Sequence, residues 1–371
     1  MTTPRVPSAA AIDALLARGS AGDRLTLEEG LSLFAAPLLE LGLAAEARCR
    51  TLHPEPTRTF VIGRNINYSN ICTCGCRCCA FFRVPDHPDG YTLAMDEVLA
   101  KVEEMVDAGG TEVLLQGGLN PHLRLRWFET LFHAIRTTFP TASLHALSPS
   151  ELLHLAELEA LPVATILARL QRAGLASIPG ASAEILVDRV RARISPRKCS
   201  VDAWLAVMRC AQALGLPTTA TMMYGHVETL AERLEHLVRI RALQDATRGF
   251  VGFIPWAFQA GNSALTDDVV PQESAGGAEF LRMLAISRLF LDNVPNLQSS
   301  WVTQGMKIGQ LGLSFGANDL GSTMMEERVV SAAGTTFQTN AAELARLIAD
   351  LGFIPAQRTT DYAIVRQWRL I

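Results

Sequence analysis

From Thr59 onward the chain alternates short apolar, β-branched runs with longer segments whose apolar residues recur every three or four positions. The short runs predict strands at Thr59–Gly63, Glu112–Gln116, Ser143–Leu147, Ala176–Ile178, Thr218–Met222, Phe250–Ile254 and Ser299–Val302, with a short one near Ala317. The longer segments predict helices that include Asp96–Ala108, Leu125–Thr137, Val201–Leu214, Thr229–Gln244, Ala278–Leu291 and Ala341–Leu351. A stripe at helical spacing buries one face of a helix, whereas a short continuous apolar run suits a strand covered on both faces. Eight strand–helix alternations predict an α/β fold, a (β/α)8 barrel of the TIM type.

Residues 1–55 read instead as a helical lead-in. Ile12, Leu15 and Leu16 form one stripe, and Leu31, Phe34, Leu38, Leu39 and Leu41 another. Thr26 followed by Glu29 has the capping-box spacing that opens a helix. No Gly/Ser linker, charge run or fixed-period repeat divides the rest of the chain, so residues 56–371 are expected to form one structural unit.

Composition narrows the function classes. At 371 residues, with 49% hydrophobic and 19% charged positions, the chain has ample material for a large core. A net charge of −4 leaves no electrostatic footprint for nucleic acid. The start, Met1-Thr-Thr-Pro-Arg-Val-Pro-Ser8, lacks a basic stretch followed by an apolar run, so no secretory signal is expected. The longest uncharged stretch, Gly249 to Thr266, is interrupted by Pro255, Gln259, Gly261 and Asn262, so no membrane span is expected either. A cytoplasmic enzyme is the expectation, and clustered thiols also favour a reducing compartment.

Those thiols are concentrated in Asn70-Ile-Cys-Thr-Cys-Gly-Cys-Arg-Cys-Cys-Ala-Phe-Phe82, which holds five of the eight cysteines. Cys72, Cys76 and Cys79 are spaced Cys-x3-Cys-x2-Cys. Crowded thiolates need a soft metal centre to take up their charge. A cubane iron–sulfur cluster normally takes four cysteine ligands. Three would leave one iron open, as an open position marks catalytic zinc. Counting from Cys74 instead, the spacing reaches Cys78 and then Phe81, which cannot ligate. A structural zinc site would need two Cys or His pairs, and Cys49, Cys199 and Cys210 are scattered singly. Disulfide staples belong to small secreted domains. A non-catalytic metal-binding protein is the alternative from another functional class.

The cysteine spacing, with Ala80 and Phe81 behind it, resembles the radical S-adenosylmethionine (SAM) enzymes. The resemblance implies a [4Fe–4S] cluster on Cys72, Cys76 and Cys79, with SAM chelating the open iron. Barrel active sites lie at the carboxyl ends of the strands, and the cysteine loop comes after the first one. In this family the residue before the third cysteine, here Cys78, is usually aromatic and lies near adenine. The turn Gln116-Gly117-Gly118 corresponds to a glycine-rich turn against the methionine part of SAM, or is an ordinary βα turn with freedom for positive φ and close approach. Glu184 is either a helix-start acid or an acceptor for the SAM ribose hydroxyls. Ser148, at the end of the third strand, and Trp256, after the sixth, are candidate substrate contacts; Trp256 and Phe258 either wall an aromatic substrate or pack. His226 and Glu228 are candidate bases, with a structural histidine as the alternative; Met222 and Met223 suit core filling.

Longer runs sharpen the resemblance. Asn65-Ile-Asn-Tyr-Ser-Asn-Ile-Cys72, Thr221-Met-Met-Tyr-Gly-His226, Ser300-Trp-Val-Thr-Gln-Gly305 and Gly316-Ala-Asn-Asp-Leu-Gly-Ser-Thr-Met-Met-Glu-Glu327 are similar to the dehypoxanthine futalosine cyclases of menaquinone biosynthesis. Aminofutalosine synthases and deazaflavin-forming (FO) synthases share the fold and several turns, so a diverged paralogue is the runner-up. The resemblance implies that a SAM-derived radical takes hydrogen from the 4′ carbon of the substrate's ribose-like ring. The carbon radical then attacks the benzoate ring, which regains aromaticity by losing an electron and a proton. It also implies a one-electron donor such as flavodoxin or ferredoxin. The chain departs from the family at Gly63, Cys78, Ala176, Ala181 and Ser182, where an acid, an aromatic, an acid and two glycines are usual.

Overall fold

The computed structural model describes residues 8–265 and 275–368; Thr266 and most of the Met1–Ser8 segment lie outside the described residues. Eleven strands are described: β1 (Thr57–Val61), β2 (Gly63–Asn67), β3 (Glu112–Gln116), β4 (Ser143–Ala146), β5 (Leu175–Ser177), β6 (Thr218–Tyr224), β7 (Phe250–Ala257), β8 (Asn296–Leu297), β9 (Asp319–Ser322), β10 (Ile354–Arg358) and β11 (Ile364–Gln367). Strands β2 to β5 pair in order, and so do β6 to β8, all parallel. The gaps are bridged in parallel by Ile178 with Thr218 and by Gln298 with Asp319. β9 returns to β1 in parallel, and Met325 just beyond it bridges Arg64 of β2. The result is a ring of eight strand positions, the first shared by β1 and β2 in succession. At its amino end β1 also pairs with β10, which carries antiparallel β11.

The alternation along these strands explains both core and cavity. Phe60, Ile66, Val113, Leu115, Leu144 and Phe253 are buried. Burying each such side chain contributes about 1.5–3 kcal/mol. Their neighbours Asn65, Asn67, His145, Thr219 and Thr221 line the barrel axis. Barrel interiors of this kind are usually filled by branched apolar layers; smaller and polar groups here leave a cavity of about 410 Å³.

Three sequence expectations are corrected. The strand expected at Thr59–Gly63 straddles β1 and β2. The strand expected at Ser299–Val302 lies earlier, at Asn296–Leu297, and Trp301–Gln304 is a helical turn. Trp301 is buried there by packing: its Nε1 donates to the Ser322 carbonyl at 3.1 Å, and Gly309 lies against it so closely that a Cβ would meet the Trp301 Cβ at 2.6 Å. The stripe from Leu31 to Leu41 is divided at Pro37 into Leu27–Ser32, a 3-10 turn Leu33–Ala35 and a helix Leu38–Leu52, with Leu39 72% exposed.

The Thr26 capping box forms as expected, with both reciprocal bonds. The lead-in helices pack on the barrel's outer helices. Gly30 lies against Leu234 and Phe290, and a Cβ there would sit 2.5 Å from the Leu234 side chain. Arg24 bridges Asp245 at 2.7 Å and Asp292 at 2.8 Å. No described helix is long and apolar enough to cross a membrane.

Candidate active site

The cavity opens at the carboxyl ends of the strands, and the loop after β2 supplies one wall. Parallel bridging of Ile71 with Arg83 pins this loop, with Cys72 N donating to Arg83 O at 2.8 Å and Arg83 N to Asn70 O at 2.8 Å. Gly75 turns it at φ +58°, a conformation that glycine adopts without strain. Cys72, Cys74, Cys76, Cys78 and Cys79 all line the cavity, and all are free. The backbone N–H groups of Cys74 and Leu119 point at Cys72 Sγ from 3.4 and 3.3 Å. Cys74 Sγ and Cys76 Sγ are 3.3 Å apart. Hydrogen bonds from Cys74 and Cys78 hold the Cys76 thiol well below its usual range despite burial, and the charges of Lys198 and Arg191 act in the same direction. Free thiols lining one cavity, with amide dipoles turned toward sulfur, are a donor set that fits an iron–sulfur cluster. Among the described residues, no three His, Cys, Asp or Glu side chains converge on a single metal-ion position.

The turn after β3 lies directly behind the cysteine loop. Neither Gly117 nor Gly118 adopts positive φ, so that part of the expectation fails. Close approach is the reason for glycine. A Cβ on Gly117 would sit 2.5 Å from the Tyr68 ring, and one on Gly118 would sit 2.2 Å from Ile71 O and 2.7 Å from Cys72 Cβ. Gln116, Gly117 and Gly118 line the cavity. The turn is held by Glu151, which accepts from Gly117 N at 3.0 Å, Tyr68 OH at 2.7 Å and Ser148 N at 2.7 Å. Ser148 lines the cavity and caps the helix Pro149–Glu159, its side chain accepting from Glu151 N.

Glu184 lies in the loop after β5, buried and lining the cavity. The helix-cap alternative fails, because the next helix, Asp188–Ile194, is capped at Val187. Glu184 instead accepts from Lys198 Nζ and, at 3.4 Å, from Arg191 Nη1. Burial disfavours the Lys198 ammonium, but Glu184 and the Cys76 and Cys78 thiols beside it outweigh this and keep it charged. Arg191 also donates to the carbonyls of Ser182 at 3.0 Å and Ala183 at 2.8 Å, fixing the loop. Ser182 and Glu184 are held at φ +65° and +40°, a region that disfavours residues bearing a Cβ. Trp256, on β7, lines the cavity as well.

His226 and Glu228 do not join this group: neither lines the cavity, and both side chains are fully buried. Glu228 accepts from Gly225 N at 2.6 Å, His226 N at 2.9 Å and Arg233 Nε at 2.7 Å, and lies 3.0 Å from His226 Nδ1. His226 Nε2 meets the Met223 carbonyl at 3.0 Å. The pair ties the loop after β6 to the helix Leu230–Thr247, so the expectation of a base at these positions is corrected to a structural knot. Cavity residues that the sequence did not single out include Asn65, Asn67, Glu151 and Lys198. The alternation Asn65-Ile66-Asn67 was the available signal for the first two; Lys198 had none, because its pairing with Glu184 spans fourteen positions.

Residues 66–240 match the radical SAM superfamily, and residues 247–370 match the family described as CofH/MqnC C-terminal region. The cyclic dehypoxanthine futalosine synthase of Halalkalibacterium halodurans is 45% identical over 96% of this chain and 95% of its own length. The 5-amino-6-(D-ribitylamino)uracil–L-tyrosine 4-hydroxyphenyl transferase of Methanopyrus kandleri is 38% identical over 97% and 98%. In fold, the chain is similar to the FeFe-hydrogenase maturase HydG of Carboxydothermus hydrogenoformans, with a TM-score of 0.71 at 16% identity over 95% of this chain and 81% of that one. With a cysteine-lined cavity at the mouth of a parallel barrel and a near full-length relative at this identity, the chain belongs to the radical SAM superfamily, in the cyclic dehypoxanthine futalosine synthase family.

Proposed function

We propose that the chain cyclises dehypoxanthine futalosine to cyclic dehypoxanthine futalosine in menaquinone biosynthesis. The observation that carries this reading is the gathering of Cys72, Cys76, Cys79, the Gly117–Gly118 turn and Glu184 around one cavity. Cys72, Cys76 and Cys79 would hold a [4Fe–4S] cluster, which with SAM would supply the one-electron cleavage that starts the reaction. The chain's own residues bind and orient. The glycine turn gives the methionine part of SAM a side chain-free surface, Cys78 lies toward the adenine, and Glu184 accepts from the ribose hydroxyls. Ser148 and Trp256 face the second ligand, and the enclosed walls hold radical and substrate together while limiting side reactions with water. The enzyme is cytoplasmic and draws its electron from a flavodoxin or ferredoxin.

The test is anaerobic reconstitution with iron, sulfide, SAM, a reductant and dehypoxanthine futalosine, and then product analysis. Cyclised product with 5′-deoxyadenosine and methionine is expected. Release of 5′-deoxyadenosine without cyclised product would mean a paralogue with another substrate. No SAM cleavage at all would mean a non-catalytic metal-binding protein.

A further inference from the structure

β2 presents two amides to the cavity from alternate positions, Asn65 and Asn67, which are 4% and 5% exposed. The Oδ1 atom of each is buried without a hydrogen-bond partner. A buried acceptor left unpaired costs about 1–3 kcal/mol, a cost that a hydrogen-bond donor on a ligand in the cavity would relieve. The Asn67 amide is oriented by its Nδ2, which donates to Gln116 O at 3.5 Å, leaving Oδ1 as the unpaired atom. Alternate strand positions stand roughly 6–7 Å apart, so the two carbonyls address separate ligand groups. Both need donors, and a carboxylate has none to give.

The charges around the cavity point the same way. Its lining includes two cations, Lys198 and Arg358. Lys198 is paired with Glu184. Arg358 donates through Nε and Nη2 to Asp319 at 2.6 and 2.8 Å and through Nη1 to Thr359 O at 2.9 Å. The deeper Glu112 also lines the cavity, and burial pushes its carboxyl up toward the neutral form. This wall takes hydroxyl groups and offers an anion no unpaired cation among the described lining residues.

We propose that Asn65 and Asn67 are substrate-positioning residues that bind ring hydroxyls of the second ligand, a polyhydroxylated furanose carrying an aromatic acid, and so turn its carboxylate away from β2. The inference rests on the proposed cyclase reading and deepens it. Asn67 ends β2 five residues before Cys72 and lines the same cavity, so a ring held there lies on the side of the cysteine loop that would hold the cluster. The sugar carbon is thereby offered ahead of the benzoate.

The test measures binding of dehypoxanthine futalosine, and of an analogue with its ring hydroxyls replaced by hydrogen, to the cluster-loaded protein under non-reducing conditions. Cyclisation is monitored separately under reduction. The wild type is expected to prefer the hydroxylated ligand by ~10-fold or more, as the loss of one or more hydrogen bonds predicts. Asn65→Leu and Asn67→Leu should each erase part of that preference, and the double variant most of it. The comparison of the two ligands on the wild type needs no variant to fold. Equal affinity for both ligands overturns the inference even if cyclisation proceeds, as does a preference that survives both substitutions. A preference without cyclisation upholds the hydroxyl wall and overturns the cyclase reading. No binding of either ligand overturns both.

Discussion

Two glutamates lie just past neighbouring strands of the barrel, β5 and β6, and each has two basic partners. Glu184 is paired with Lys198 and Arg191, Glu228 with His226 and Arg233. Their sequence settings look alike, an acid a few residues past a strand end. Glu228, however, spends its oxygens on its own loop and on the next helix, with no edge toward the cavity. Glu184 shares its partners with the cysteine loop and lines the cavity. A buried ion pair thus serves as a strut where its ring of partners is closed, and is available to a ligand where one side faces a cavity.

The largest expected effects lie on the cavity side. Replacing Cys72, Cys76 or Cys79 with Ala is expected to abolish the brown chromophore or SAM cleavage, while Cys74→Ala and Cys78→Ala keep a cluster. Iron content and the visible spectrum after anaerobic reconstitution measure this. Loss of the cluster in Cys74→Ala would move the ligand register, since Cys74 also lines the cavity and lies 3.3 Å from Cys76.

The second test addresses the strut. Glu228→Gln leaves the buried Arg233 with one carboxylate partner fewer, and breaking such a pair costs roughly 3–5 kcal/mol. Stability measured by denaturant unfolding should fall by that order, with SAM affinity unchanged. The pH profile gives an independent reading. Burial opposes ionisation of Glu228, but His226, Arg233 and the Gly225 N–H outweigh it, so its carboxyl lies well below the usual range. A group depressed in the folded state adds stability that is full above its unfolded value, near ~4.3, and is lost as pH falls toward the folded value. Unfolding midpoints should therefore drop more steeply below about pH 5 in the wild type than in Glu228→Gln. A weakened affinity for SAM in this variant would dissolve the contrast between the two glutamates.

Third comes the proposed binding group. Glu184→Gln keeps the shape and removes the charge, and SAM affinity should weaken by ~1–3 kcal/mol, the range for a hydrogen bond to a charged group. Isothermal titration with the cluster-loaded protein would show it. Unchanged affinity with an intact fold would return Glu184 to a structural role like that of Glu228.

The contrast also explains what the sequence could and could not reveal. The cysteine spacing, the glycine turn and the Thr26 capping box are local patterns, and the cavity or helix that each one serves lies close by in the chain. The inward face of β2 can be read from alternation, but the use of its amides depends on what stands opposite. β9 carries Asp319 and Ser322 into a polar interior, so its apolar pattern is short and points only roughly to the region near Ala317. β10, with Pro355 and Arg358, has no apolar run and is not among the strands the pattern predicts; its place is set by pairing with β1. His226 and Glu228 misled for the opposite reason: their pattern is local, but whether it faces the cavity is decided by Arg233 and the packing of the next helix.

The smallest expected effect concerns the loop that carries Glu184, where the family resemblance leads one to expect glycines in place of Ala181 and Ser182. Ser182 sits at φ +65° with its carbonyl held by Arg191. Ser182→Gly removes the Cβ penalty at positive φ, while added freedom in the unfolded chain works against it. Net stability should therefore change by less than about 1 kcal/mol, read as a small shift in the unfolding midpoint. Ala181 is held differently, through its carbonyl, which accepts from Trp204 Nε1 at 3.1 Å. Ala181→Gly and Ala176→Asp, combined with Ser182→Gly, restore the pattern common to the family and should raise the ratio of cyclised product to free 5′-deoxyadenosine. The physical reason is fit: Ala181 and Ser182 line the cavity beside Glu184, and a small misplacement of reacting groups lowers coupling steeply. If the restored variant couples worse than the wild type, the loop has already adapted to its own side chains, and Arg191, which clamps both Ser182 and Ala183, becomes the next residue to vary.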